Sequence, residues 1–315
     1  MSDQPASTIS DLSYRHFQGP VRGRSARWLA ISINAFRLAF KNKGFWILVS
    51  LSTLPHLFII LILYLQTQAP SESPNFFFDN TKGQMFASAL FAGLSWQKFF
   101  LFLMTLLLGS GMISADNQTN ALMVYLSKPI TKLDYLMGKF FGLFGILFLS
   151  AFLPAMVFFI FCAASYYNEG FFQQEPLLFF RMILACAAPA LIHSSLMMGV
   201  SAWSKTPRIA GAVYAGIYFV SNVAANTFWA LKYQGQLGEG VFERNLSVQG
   251  LINSLQQNAL GIILRPWDQS RRRGLIIHEI EPPNWIFIVA IALILCFAFL
   301  LAARIRIKAV EVVRG

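Results

Sequence analysis

The chain has 315 residues, 56% of them hydrophobic and only 12% charged, with a mean hydropathy of +0.55 and a formal net charge of +11. That mixture excludes an ordinary water-soluble globular domain and describes a polytopic membrane protein. The basic excess needs no nucleic acid, because anionic lipid head groups attract the same charge.

The first 25 residues are polar, without the apolar core or small-residue cleavage site of a secretory signal peptide. From Ser25 to Lys43 a helix is predicted, with Leu29, Ile33, Phe36 and Phe40 on one face and Arg27, Asn34, Arg37 and Lys41 on another. Such a helix lies along a membrane surface; Ile31 and Leu38 interrupt its polar face, so part of it also packs on protein. An apolar run of about 20 residues crosses the roughly 30 Å hydrocarbon core. The first such run is Gly44 to Gln66, which serves as an uncleaved insertion signal. Thr67 to Gly83, with Pro70 and Pro74, reads as an irregular loop. Met85 to Trp96 reads as an interfacial or re-entrant helix, with Lys98 snorkelling at the membrane edge before a second span over Gln97 to Ala115.

Further spans follow at Phe140 to Ser165, Leu177 to Trp203, Ile209 to Leu231 and Trp285 to Ala303. The connection from Tyr166 to Pro176 carries no recognisable chemistry, and only Ser204 to Arg208 separate the fourth and fifth spans, which makes them a tight antiparallel pair. In the segment 232–284, Val248, Leu251, Ile252, Leu255, Ala259, Ile262 and Ile263 recur at helical spacing with Gln249, Asn253, Gln256 and Gln257 between them. This is an amphipathic helix whose amide-rich face disfavours a seventh span. The fold class is therefore an all-α polytopic membrane protein with six transmembrane helices. Residues 1–43 form an N-terminal segment, 44–303 the membrane domain and 304–315 a tail.

Lysines and arginines number seven in 1–43, three in 116–139, two in 204–208 and four in 304–315, against nine elsewhere. The positive-inside rule then puts both termini in the cytoplasm. All 14 Asp and Glu residues fall outside the six spans, which argues against a carboxylate proton relay. His56 and His193 are intramembrane without an acidic or cysteine neighbour at i±3 or i±4; His56 follows Pro55 and is expected to satisfy a freed backbone carbonyl. Cys162, Cys186 and Cys296 have no metal-ligand spacing. No phosphate-binding GxxxxGK[ST] loop exists, since Gly138-Lys139 continues into Phe140; if ATP drives this protein, another chain binds it.

Between the second and third spans stands SADNQTNALMVYLSKPITKLDYLMGKFF, residues 114–141. Asp116 or Asn117 is expected to cap a short helix running to Leu126, with Leu122, Tyr125 and Leu126 on one side. Ser127-Lys128-Pro129 breaks it. A second helix, capped by Thr131 and carrying Lys132 and Asp134, runs into the third span. The result is a bent elbow at the inner surface, suited to receive a push from a cytoplasmic partner.

The positions Ile113, Ser114, Asp116, Leu126, Ser127, Pro129, Ile130, Thr131, Lys132, Gly138 and Lys139 resemble the first cytoplasmic loop of ABC type-2 transporter permeases. The chain departs from that pattern at Thr119-Asn120, where the family often has Gly-Thr. The resemblance implies a permease that dimerises with a second copy or a paralogue, above separate ATPase subunits that carry ATP and Mg. This chain itself would bind no cofactor or metal. It implies an ATPase-coupling surface from Asp116, Asn117, Thr119, Asn120, Leu122, Tyr125, Leu126, Ser127, Lys128, Pro129, Thr131 and Lys132. It also implies a dimer interface on the second and fifth spans, where Asn222 and Asn226 line a substrate path or bond across it. Gly211, Ala212, Ala215 and Gly216 make a small-residue face on the same span. The outer helix is expected to cap an external exit, and the location to be a bacterial inner membrane. Two other readings stay open: a non-transporting scaffold that recruits a partner through the same elbow, and a membrane-embedded enzyme using His56 or His193.

Overall fold

The computed structural model describes residues 27–68, 85–119, 130–233, 245, 247–262 and 284–307. They form α1 (Arg27–Lys41), α2 (Lys43–Gln68), α3 (Met85–Met104), a π-helical turn (Thr105–Gly109) and α4 (Gly111–Gln118). After these come α5 (Lys132–Ser165), the short α6 (Phe171–Gln174), α7 (Leu178–Trp203), α8 (Pro207–Tyr233), α9 (Val248–Leu260) and α10 (Trp285–Arg306). Six helical runs are long and apolar enough to cross a membrane, so this is a multi-pass membrane protein.

The first helix meets the bundle through its small residues. Ser32, Ala35 and Ala39 are buried while Leu29, Ile33, Leu38 and Phe40 stay exposed, their side chains free for lipid. The partner face on α5 carries Gly138 and Gly142, which let the two backbones close up. The Ser32 hydroxyl donates to the Gly138 carbonyl at 2.8 Å. The protein-packing face is thus narrower than the sequence pattern implies, since Ile31 covers Gly138 and Leu38 remains 61% exposed.

The run from Met85 to Gln118 is one continuous span of 34 residues, about 51 Å long at 1.5 Å per residue. This corrects the expected separate interfacial piece: Met85, Phe86, Ala87, Ala89, Leu90 and Leu94 are buried in the main core rather than laid on a surface. Lys98 does not snorkel to an edge either. It is 2% exposed, enclosed by α3 and α9.

Prolines inside spans explain two buried glutamines. Pro154 cannot donate to the carbonyl four residues before it, Ser150, and the Gln97 side-chain amide donates there instead at 2.8 Å. Pro189 frees Ala185 in the same way, and Gln256 of α9 donates to that carbonyl at 3.0 Å. The second bond draws α9 among the spans, with Ser254, Gln256 and Gln257 buried alongside Val248, Leu251 and Ile252. The amide face of α9 is therefore turned toward the other helices. His56 does not play this role: neither ring nitrogen meets a hydrogen-bond partner among the described residues, because the ring lies against Gly93 of α3 rather than its own helix.

The connection after α5 carries chemistry that its sequence conceals. Glu175 is buried, and its carboxylate accepts from the Ala87 backbone N–H at 2.9 Å, an orphan donor in the first turn of α3. Burial pushes this carboxyl above its ordinary value of 4.5, opposed by the Ala87 N–H and the nearby charge of Arg181. With the folded pKa above the unfolded one, its contribution to stability is full below about pH 4.5 and is lost as pH rises through the raised value. Glu175→Gln is expected to flatten this part of the pH–stability curve in detergent. Glu175→Ala should cost about 1 kcal/mol, the scale of a lost helix cap. Unchanged pH dependence in the Gln variant would remove the carboxyl from this account.

Candidate functional site

The C-terminal ends of the second and fourth spans and the N-terminal end of the third meet around Asp116. The π-helical turn leads directly into α4, whose first-turn N–H groups face α7. Ser201 of α7 meets them: its hydroxyl oxygen accepts from Ile113 N at 3.1 Å and Ser114 N at 3.0 Å, and the hydroxyl donates to the Ser110 carbonyl. One side chain thereby staples α7 to the interruption.

Asp116 and Asn117 end a helix rather than begin one, which corrects the expected capping role. The π-helical turn keeps α3 and α4 nearly continuous, carrying the helix through to Gln118. The Asp116 carboxylate accepts from the Tyr135 hydroxyl at 2.6 Å and pairs with the Lys139 ammonium at 3.0 Å. The two charged side chains are only 15% and 14% exposed. Lys139 also lies 5.5 Å from the Tyr135 ring centroid. The three groups form a closed triangle between α4 and α5.

Asn117 donates to the carbonyls of Ala202 and Ser204 at the end of α7, at 3.1 and 3.3 Å. Thr119 bonds back to Ala115. Thr131 caps α5 in a reciprocal capping box with Asp134, as its spacing predicts. Lys132, next to it, is exposed. Asn120, Leu122, Tyr125, Leu126, Ser127, Lys128 and Pro129 lie outside the described residues.

Asn222 and Asn226 sit far from this triangle, on α8, and line a polar cavity with α3 and α9. Asn222 donates to the Gln249 side chain at 2.9 Å, a bond within this chain. Arg181 reaches the Leu260 carbonyl at 3.5 Å, at the negative end of α9. His193 hydrogen-bonds through Nδ1 to the buried Tyr214 hydroxyl, joining α7 to α8. Among the described residues no group of three or more His, Cys, Asp and Glu side chains is placed to hold a metal ion.

Ser201 and Tyr135 were given no role by the sequence, and Lys98 was given a membrane-edge one that its burial overturns. Tyr135, one helical turn before Lys139 and across from an acid, was the legible one; a lone serine in an apolar span gives no signal.

Residues 29–258 match the model of the ABC-2 family transporter proteins. The chain belongs to the ABC-2 transporter family. It is accordingly a transporter permease subunit, a membrane component that is not itself catalytic. No curated protein matches the chain.

Proposed function

We propose that this ABC-2 permease is the membrane half of an ATP-driven exporter, coupled through residues 114–139 to a separate cytoplasmic ATPase that carries ATP and Mg. The observation that supports this most is the Asp116–Tyr135–Lys139 triangle. It fixes the last turn of α4 to the first turns of α5, and Asn117 ties the same point to α7. A segment mounted on those rigid ends transmits a push to three spans at once, whereas a flexible loop would absorb it. Asp116 and Asn117 act in this reading as the anchor of the elbow, with Lys128, Tyr125 and their neighbours meeting the ATPase.

Both termini and this elbow face the cytoplasm of a bacterial inner membrane, in keeping with the distribution of basic residues. Export is the direction in this reading, and the polar cavity of Asn222 and Asn226 lies on the half of the spans away from the elbow, where an exported cargo would leave. A second permease chain completes the transporter along α8, where Val220 and Val223 are 69% and 65% exposed and a Cβ on Gly216 would meet nothing. The experiment is ATP hydrolysis by the partner ATPase reconstituted with and without this chain. Several-fold stimulation is expected, and an unchanged rate with both proteins correctly inserted would refute the coupling.

A further inference from the structure

A cavity of about 480 Å³ opens among α3, α8 and α9, with Lys98, Asn222, Asn226, Gln249, Asn253 and Gln257 on its walls. Lys98 lies roughly 30 Å along the helix from Gln118, on the half of the span remote from the elbow. Its ammonium donates to the Asn253 side-chain oxygen, approaches Ser95 Oγ at 3.4 Å, and sits 5.3 Å from the Phe91 ring centroid. These neighbours are all neutral. Among the described residues no carboxylate lies within ion-pair reach of Lys98. A cation that is 2% exposed inside a span, with no counter-charge among the described residues, is costly to keep, which marks it as functional.

The amides around it are turned by their bonds. Because Asn253 Oδ1 faces the ammonium, its NH2 must point the other way; because Gln249 Oε1 accepts from Asn222, its NH2 is left over as well. Neither NH2 has a partner among the described residues. The Asn222 oxygen is left over as an acceptor, but one positive charge and two spare amide donors wall the same cavity, a set that favours an oxyanion over a cation.

We propose that this cavity is an oxyanion subsite that binds the phosphate or carboxylate head of an amphipathic cargo, with Lys98 supplying the charge and Asn253 and Gln249 the hydrogen bonds. That the ligand is cargo rests on the transport reading; the binding itself does not, and it is measured on this chain without any ATPase. The oxyanion comes either from a membrane lipid or from a free soluble anion, and three probes separate the two. The full chain in a neutral maltoside detergent is titrated calorimetrically with dihexanoyl phosphatidic acid, with inorganic phosphate, and with zwitterionic dihexanoyl phosphatidylcholine.

Phosphatidic acid should bind at least tenfold tighter than phosphatidylcholine, and Lys98→Met should lose at least tenfold in that affinity while Lys98→Arg keeps most of it. Phosphate binding as tightly as the lipid assigns a soluble anion; a large gain from the acyl chains assigns a lipid-like ligand; both support the subsite. An apolar replacement of a buried charge is usually tolerated in folding. If Lys98→Met nonetheless unfolds, Gln249→Ala, which keeps the ammonium, should weaken binding severalfold. The proposal is overturned if neither anionic probe binds, if phosphatidylcholine binds equally well, or if a folded Lys98→Met or Gln249→Ala protein binds phosphatidic acid as the wild type does.

Discussion

Asp116→Lys should reduce ATP hydrolysis coupled to this permease at least tenfold while leaving membrane insertion intact. The substitution places a second ammonium against Lys139 and removes the acceptor of the Tyr135 hydroxyl, so α4 and α5 lose both links of the triangle. Leaving one member of a largely buried pair without its partner costs about 1–3 kcal/mol, enough to separate the helix ends without unfolding six spans. The swap Asp116→Lys with Lys139→Asp restores the pair and should recover a substantial part of the coupling. If the single variant couples normally, the triangle is packing alone; if the swap rescues nothing, Asp116 acts through a contact outside this chain.

Gly138→Val should lower the stability of the purified protein by about 3 kcal/mol, the upper range for overfilling a packed site. A Cβ at this position would come within 2.6 Å of Ile31 Cβ and 2.7 Å of the Trp28 carbonyl oxygen. A backbone oxygen cannot swing aside as a side-chain tip does, so α1 must lift from α5. That movement also breaks the Ser32 bond to the Gly138 carbonyl. Thermal unfolding in detergent checks the magnitude, and cross-linking between cysteines placed on α1 and α5 checks the displacement. A variant of wild-type stability with α1 still docked would mean that the contact relaxes by other means.

The spans were legible because about 20 apolar residues in a row have few alternatives to crossing a bilayer. The Thr131 cap was equally legible, since a capping box is a local pattern in which Thr131 and Asp134 need only each other. Features that need a partner from elsewhere in the chain were not. Lys98 looked like a membrane-edge residue because sequence records its charge and not the arrival of Asn253, 155 residues later. Gln97 read as the start of a span and Gln256 as part of an amphipathic helix's polar face; the carbonyls freed by Pro154 and Pro189 that they meet come from elsewhere in the chain. Glu175 read as a loop acid, although it closes the first turn of α3, 88 residues away. Asp116 was recognised as important from its neighbours in sequence, but its expected place at a helix start was wrong because the π-helical turn carries the preceding helix through it.

The most direct test of the account is affinity purification of the tagged protein from its native host in mild detergent, with and without Lys128→Glu. A P-loop ATPase recovered in stoichiometric amount with the wild type, and released by the variant, is the result the coupling reading predicts. Recovery of no ATPase, under conditions that hold a known ABC exporter together, would contradict it.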